Sequence, residues 1–203
     1  EEGIVVPGLT EIVRVEGKID YDGPTDEMVE NLRFEGLSFT HTGRYPFHGQ
    51  TGWGMQHDWE AFDRPTAMVR FRGASRCGLN GCEFSHSDGT GVRFDLSCSS
   101  NDVTRSTFED LGGCAIVLGG YGPGTKDTNR LNTIQNNHIH HTGIINWHSP
   151  GVFVWQSGVN TISHNHIHHT PYTGIVVSGR IRLNRLDQTL RGVARPGKAE
   201  CFN

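Results

Sequence analysis

Short apolar runs recur along this chain with residues at i and i+2 apolar. They are Val13-Arg-Val15, Val69-Arg-Phe71, Val92-Arg-Phe94, Ile116-Val-Leu118, Val152-Phe-Val154 and Ile175-Val-Val177. Their first residues step by 56, 23, 24, 36 and 23 positions. Between them lies a second pattern, clearest in Leu131 to Thr142 (LNTIQNNHIHHT) and Val159 to Thr170 (VNTISHNHIHHT), offset by 28 residues. Weaker copies start at Asn31, Cys77 and Asn101, and in each copy one apolar residue is followed five positions later by another. Two columns result: Phe34, Leu79, Val103, Ile134, Ile162, and Phe39, Phe84, Phe108, Ile139, Ile167.

Apolar residues do not recur at i, i+3, i+4, so helices are excluded, whereas short alternating runs broken by Gly, Asn and Asp predict strands and turns. The base period of 23 to 24 residues is too short for a propeller blade, and the Leu/Asn signature of a leucine-rich repeat is missing. The pattern predicts an all-β right-handed single-stranded parallel β-helix of about five to six coils, with like positions stacked at about 4.8 Å. Larger steps mark inserted loops. Asn137 and Asn165, in column with Cys82 and Ser106, stand at a bend where an amide side chain satisfies backbone groups and bonds to its neighbour above.

The whole chain, 1–203, reads as one such domain, with an aromatic loop inserted over 41–66 and an irregular, arginine-rich excursion over 180–198. The chain ends where a further Asn-x-Ile copy would begin, and solenoid ends need caps. A piece of a longer β-helix is therefore expected, with the rest of the parent chain as a partner.

Composition narrows the partners. Of 203 residues 27 are Gly, 34% are hydrophobic and 20% charged, which suits a turn-rich β protein. Net charge is −4, with fifteen arginines and three lysines, so no broad basic field exists for nucleic acid. No apolar run approaches the roughly 20 residues of a membrane helix. Five cysteines without a CxxC pair indicate buried thiols rather than a disulfide framework or zinc knuckle.

In the alternating strand the residues between inward positions point outward. Their first rung reads Arg14, Arg70, Arg93, Val117, Phe153, Val176, and the second Glu16, Arg72, Asp95, Gly119, Trp155, Ser178. Phe153 and Trp155 form a candidate platform for sugar rings, with Arg70 and Arg93 to bond hydroxyls and Gly119-Gly120 leaving open space beside them. The competing reading is that the inserted loops bury this face. Trp53 and Trp59, with Asp58, Glu60 and Asp63, give the 41–66 loop both stacking aromatics and carboxylates, although a lid over apolar surface fits equally.

Two groups of histidines follow. His138, His140, His166 and His168 project from one side of stacked strands, and four imidazoles can bind a transition metal. Parallel side chains do not converge, however, so an ordinary exposed ladder without metal is preferred. His41, His86, Asp110, His141 and His169 form a column two residues beyond the inward Phe or Ile. Histidine titrates near neutrality, and His141 and His169 are taken as substrate contacts, with turn stabilisation as the alternative role.

On these residues the sequence resembles the right-handed parallel β-helix superfamily of pectate lyases and related glycoside hydrolases, through His164-Asn-His-Ile-His-His169, Tyr172-Thr-Gly-Ile175 and Gly151-Val-Phe-Val154. Within it the likeness is to secreted bacterial enzymes of glycoside hydrolase family 141, fucosidases and xylanases. It is carried by Val6 to Gly17 (VPGLTEIVRVEG) and Asn31 to Thr42 (NLRFEGLSFTHT) and spans most of the chain to about Gly179. An acidic Asp-Met-Gly-Gly-Ile-Tyr-like segment of those relatives has no counterpart here, so no catalytic pair carries over residue by residue.

The resemblance implies a secreted or periplasmic glycoside hydrolase acting on plant or algal polysaccharide, xylan or fucosylated glycan, through two carboxyl groups. Asp95 leads the catalytic candidates, with Asp88 and Asp110 next. No cofactor is expected. The first alternative is a lyase on uronate polymers with an arginine base and a calcium ion. The second is a non-catalytic glycan-binding or structural β-helix.

Overall fold

The computed structural model describes residues 4–44, 63–122, 125–178 and the backbone of 185–187. Trp53, Trp59, Asp58, Glu60, Cys201 and most of the 180–198 excursion lie outside them. Strands come in a repeating order of three, and like members pair in parallel with those of the neighbouring coils. The first sheet holds Val13–Glu16, Val29–Glu30, Ala67–Ser75, Thr90–Ser99, Ile116–Gly119, Val152–Trp155 and Ile175–Ser178. The second holds Arg33–Glu35, Gly78–Asn80, Asp102–Thr104, Thr133–Gln135, Thr161–Ser163 and Arg185–Asp187. The third holds Ser38–Thr42, Glu83–Ser87, Thr107–Leu111, His138–His140 and His166–His168. The architecture is a right-handed parallel β-helix.

Each predicted column is a register column. Phe34 pairs with Leu79, Leu79 with Val103, Val103 with Ile134 and Ile134 with Ile162. Phe39, Phe84, Phe108, Ile139 and Ile167 do the same on the third sheet. Because the side-chain period of a strand is two, this register sends one set of residues into the coil and the next outward. Inside, aromatic rings stack from coil to coil, Phe84 on Phe108 at 4.6 Å and Phe71 on Phe94 at 4.8 Å between centroids. Cys77, Cys82, Cys98 and Cys114 are buried free thiols.

Polar corners complete the coils. Asn137 Oδ1 accepts from the backbone N–H of Ser106, Asn165 Oδ1 from that of Asn137, and Ser106 Oγ from that of Cys82. A second ladder, not anticipated from the sequence, runs through Asn101, Asn132 and Asn160 at the preceding corner. Each turn is closed by a residue in the left-handed region: Asn31, Arg76, Ser100, Leu131 and Val159 after the first sheet, and His41, His86, Asp110, His141 and His169 after the third. Most side chains disfavour that region, and a β-branched residue such as Val159 at φ 56° adopts it only because the coils above and below fix the turn.

Candidate functional site

The outward face of the first sheet has the predicted rungs, and beyond the exposed Arg14 and Glu16 of its first strand it is largely closed to solvent. Asp95 and Arg93 are both 0% exposed, and Arg70 is 6% exposed at its side chain. Arg70 Nε donates to Asp95 Oδ2 at 2.8 Å and Arg93 Nη2 to Asp95 Oδ1 at 3.0 Å, so both carboxylate oxygens are engaged. Arg93 Nη1 also donates to Thr66 Oγ1 at 2.7 Å. Asp63 accepts from Arg70 and Arg72, each at 2.6 Å, and Arg72 reaches Glu16 at 3.1 Å. A buried charge is tolerated when paired and hydrogen-bonded in this way.

The expected open space at Gly119 is filled by that network. A Cβ there would meet Asp95 Oδ1 at 3.0 Å, which explains why glycine stands in register between Asp95 and Trp155. The expected sugar platform is corrected too. Phe153 is buried with Cys114, Val117 and Val176 in a second apolar cluster, and Trp155 packs half-buried against it. Outward from a parallel sheet is not the same as exposed, because such sheets are commonly covered on both faces. The arginine base of the lyase alternative meets the same obstacle, since Arg70 and Arg93 are bound to carboxylates.

The corner after the third sheet is open instead. His41 and His86 stack at 5.2 Å, His141 and His169 at 4.7 Å, and Asp110 lies between the two pairs with its carboxylate 3.8 Å from His86 Nε2. Left-handed φ values of 50° to 59° give all five a turn-forming role. Asp88 is exposed on the coil before Asp110, and the backbone N–H of Gly112 bonds to the Ser87 carbonyl at 2.6 Å. The segment after His141 is pinned to that place, with Ile144 N bonded to Leu111 O and Asn146 N to Gly112 O. Trp147, 70% exposed, follows directly on this pinned segment, and His148 packs on Tyr172 of the next coil at 5.1 Å. Trp147 was missed in the sequence because it lies in one of the long steps between repeats. Asn146 beside it is buried.

On the outward side of the third sheet, His138 stacks on His166 and His140 on His168, at 5.0 and 5.1 Å with rings nearly parallel. The expectation of parallel, non-converging rings fails on one diagonal: His138 Nε2 and His168 Nε2 are 2.9 Å apart. Desolvation, followed by neighbouring imidazoles, lowers the pKa of His140 and of His168 below the usual histidine range.

A groove of about 490 Å³ lies near Ser97, towards the end of the strand Thr90–Ser99, lined by Asp22, Asp26, Lys126, Asp127 and Thr128. Asp26 accepts from Ser97 Oγ at 2.5 Å and pairs with Lys126 at 3.3 Å. Hydrogen bonds from Thr25 hold the Asp20 carboxyl below its usual range. None of these residues stood out in the sequence.

A family model described as periplasmic copper-binding protein (NosD) matches residues 62–186. No curated protein matches the chain. A solved structure named "Glycoside hydrolase" is similar at 22% identity with a TM-score of 0.62, and the likeness covers 85% of this chain and 34% of that one. At that identity the likeness is one of fold.

Proposed function

The chain belongs to the NosD family of β-helices, and on that footing we propose that it is a carbohydrate-active member working in the periplasm or outside the cell. The observation that carries this reading is the open corner after the third sheet, where Asp88, Asp110, His141 and His169 lead to the exposed Trp147. An exposed indole stacks on the C–H face of a pyranose, and carboxylates and imidazoles bond its hydroxyls. Asp88, exposed, and Asp110, half-buried, are the carboxyl pair we assign to hydrolysis. Asp95, enclosed between two arginines, is assigned the role of holding the first sheet's outer face.

The resemblance to glycoside hydrolase family 141 supports a plant or algal polysaccharide as substrate, xylan or fucosylated glycan, and the similar solved structure is itself named a glycoside hydrolase. The copper of the family's description finds a fitting donor set in the imidazoles of His138, His166 and His168, and the glycan reading takes no step through it. No helix among the described residues is long and apolar enough to cross a membrane.

Reducing-end release from xylans, fucosylated pectins and uronate polymers tests the proposal. Release that falls at least tenfold in Asp110→Asn, with the melting temperature kept, is expected. Product absorbing in the near ultraviolet would assign a lyase instead, and binding without release a non-catalytic glycan-binding role.

A further inference from the structure

Among the described residues one group of three metal-ligating side chains converges: His138, His166 and His168, whose ligand nitrogens lie within 4.8 Å of one another. It is built by register. The strands His138–His140 and His166–His168 pair so that His138 faces His166 and His140 faces His168, and every ring at an outward position of these two coils is an imidazole. The pair on the diagonal, His138 Nε2 and His168 Nε2, is 2.9 Å apart. Two nitrogens bound to one ion at roughly 2.0 Å and an angle between 90° and 110° are about 2.8 to 3.3 Å apart. The diagonal therefore already has the spacing of two cis ligands. His166 is exposed, so rotation of its ring is unobstructed by packing and brings in a third nitrogen.

The far nitrogen of His168 is occupied in the way a metal ligand requires, and the neighbouring His140 is held in the same manner. His168 Nδ1 is 2.5 Å from His169 Nδ1, and His140 Nδ1 is 2.8 Å from His141 Nδ1. A proton on His168 Nδ1 shared with His169 leaves Nε2 as the lone-pair nitrogen facing His138, which is the tautomer a ligand needs. Glu109 on the preceding coil lies 3.6 Å from His140 Nε2 and adds a negative charge beside the group.

We propose that His138, His166 and His168 form a three-imidazole site for one late first-row transition-metal ion, bound across two adjacent coils and so acting as a staple between them. Imidazole donors select copper, nickel and zinc over calcium and magnesium, and the Irving–Williams order places copper(II) tightest among the divalent ions. His168 is the shared ligand of the diagonal, and His169 is a positioning residue that fixes its tautomer. This inference stands on side-chain geometry and is independent of the glycan reading.

The test is titration of the intact chain with copper(II), nickel(II), zinc(II) and calcium(II), read by calorimetry, by the electron paramagnetic resonance of bound copper(II) and by the melting temperature. One copper(II) per chain with nitrogen hyperfine structure is expected. Copper at about a hundred times its Kd should raise the melting temperature by about 5 to 10 °C. His138→Gln and His168→Gln should each weaken binding at least tenfold and abolish the melting shift. The pair His41→Asn and His86→Asn, on the same side but outside the group, should leave both unchanged; asparagine accepts the left-handed φ of those positions. Copper binding that persists in His168→Gln, or that falls as much in the His41/His86 variant as in His138→Gln, would mean adventitious surface coordination and overturn the site. No binding by the wild type would overturn it as well. Glycan release with or without metal bears only on the previous proposal, so the two fail separately.

Discussion

The outward faces of the first and third sheets are built by the same register and the same coil period, yet they have opposite fates. On the first, the central rungs Arg70, Arg93 and Asp95 neutralise one another out of solvent, flanked by a second apolar cluster around Phe153. On the third, the outward rungs change from Ser38 and Thr40 through Glu83 and Thr107 to imidazoles that remain reachable, and the corner beyond carries acids and Trp147. A face rich in charge and aromatic residues looks functional in a sequence, but on a parallel sheet it serves equally well as a second packing surface. Chemistry is more available where the coil turns away from its neighbours.

The sharpest way to break that contrast is to unpair the first face. Asp95→Ala removes the buried carboxylate that Arg70 and Arg93 both bond, and breaking such a buried ion pair costs about 3 to 5 kcal/mol. Thermal unfolding should show a drop of roughly 10 °C. A change of under about 1 °C would mean that the network is solvated and the first face open after all. Next in size is the corner ladder between the second and third sheets. Asn137→Ala strips Ser106 N–H of its acceptor and Val103 O of its donor, at about 2 kcal/mol, measured by urea unfolding.

Acid should distinguish the two faces more gently. The folded-state pKa values of His140 and His168 lie below the ordinary histidine value, so the unfolded chain takes up protons first as pH falls. Their contribution to stability is complete above about pH 6.5 and is lost as pH falls from there through the lowered folded values. Urea midpoints measured from pH 7.5 to 5 should decline in the wild type and decline less in a His140→Gln, His168→Gln double variant. Smallest of all, His138→Gln at neutral pH without metal should change stability by no more than about 0.5 kcal/mol, since its ring is not part of the core.

Much of the fold was legible because a stacked coil repeats its constraints. Inward positions such as Ile134 and Ile162, or Ile139 and Ile167, must match in register, and the Asn137 and Asn165 amides must recur wherever the same turn recurs. The Asn101, Asn132, Asn160 ladder was equally written in the chain, two residues before Val103, Ile134 and Ile162, but the eye follows the longer HIHH repeat. The site was less legible. Pattern gives the direction of a side chain relative to its own sheet, so Asp95 and Phe153 were correctly placed outward, while their burial depends on what covers the sheet from elsewhere in the chain. Likewise the register of His138 on His166 was evident, whereas the diagonal approach of His138 to His168 depends on ring rotation that no spacing encodes. Trp147 sits outside the repeat altogether, and the segment before it is tied to the coil by backbone bonds to Leu111 and Gly112 that no spacing encodes.

The claim that function belongs to the open corner rather than to the first-sheet ladder is tested most directly by polysaccharide binding to Trp147→Ala beside the wild type. The indole is exposed, so the variant should melt within about 1 °C of the wild type. Loss of a stacking anchor should weaken binding to the preferred polysaccharide about tenfold or more. Unchanged affinity in Trp147→Ala would contradict the account and return attention to the face that carries Trp155.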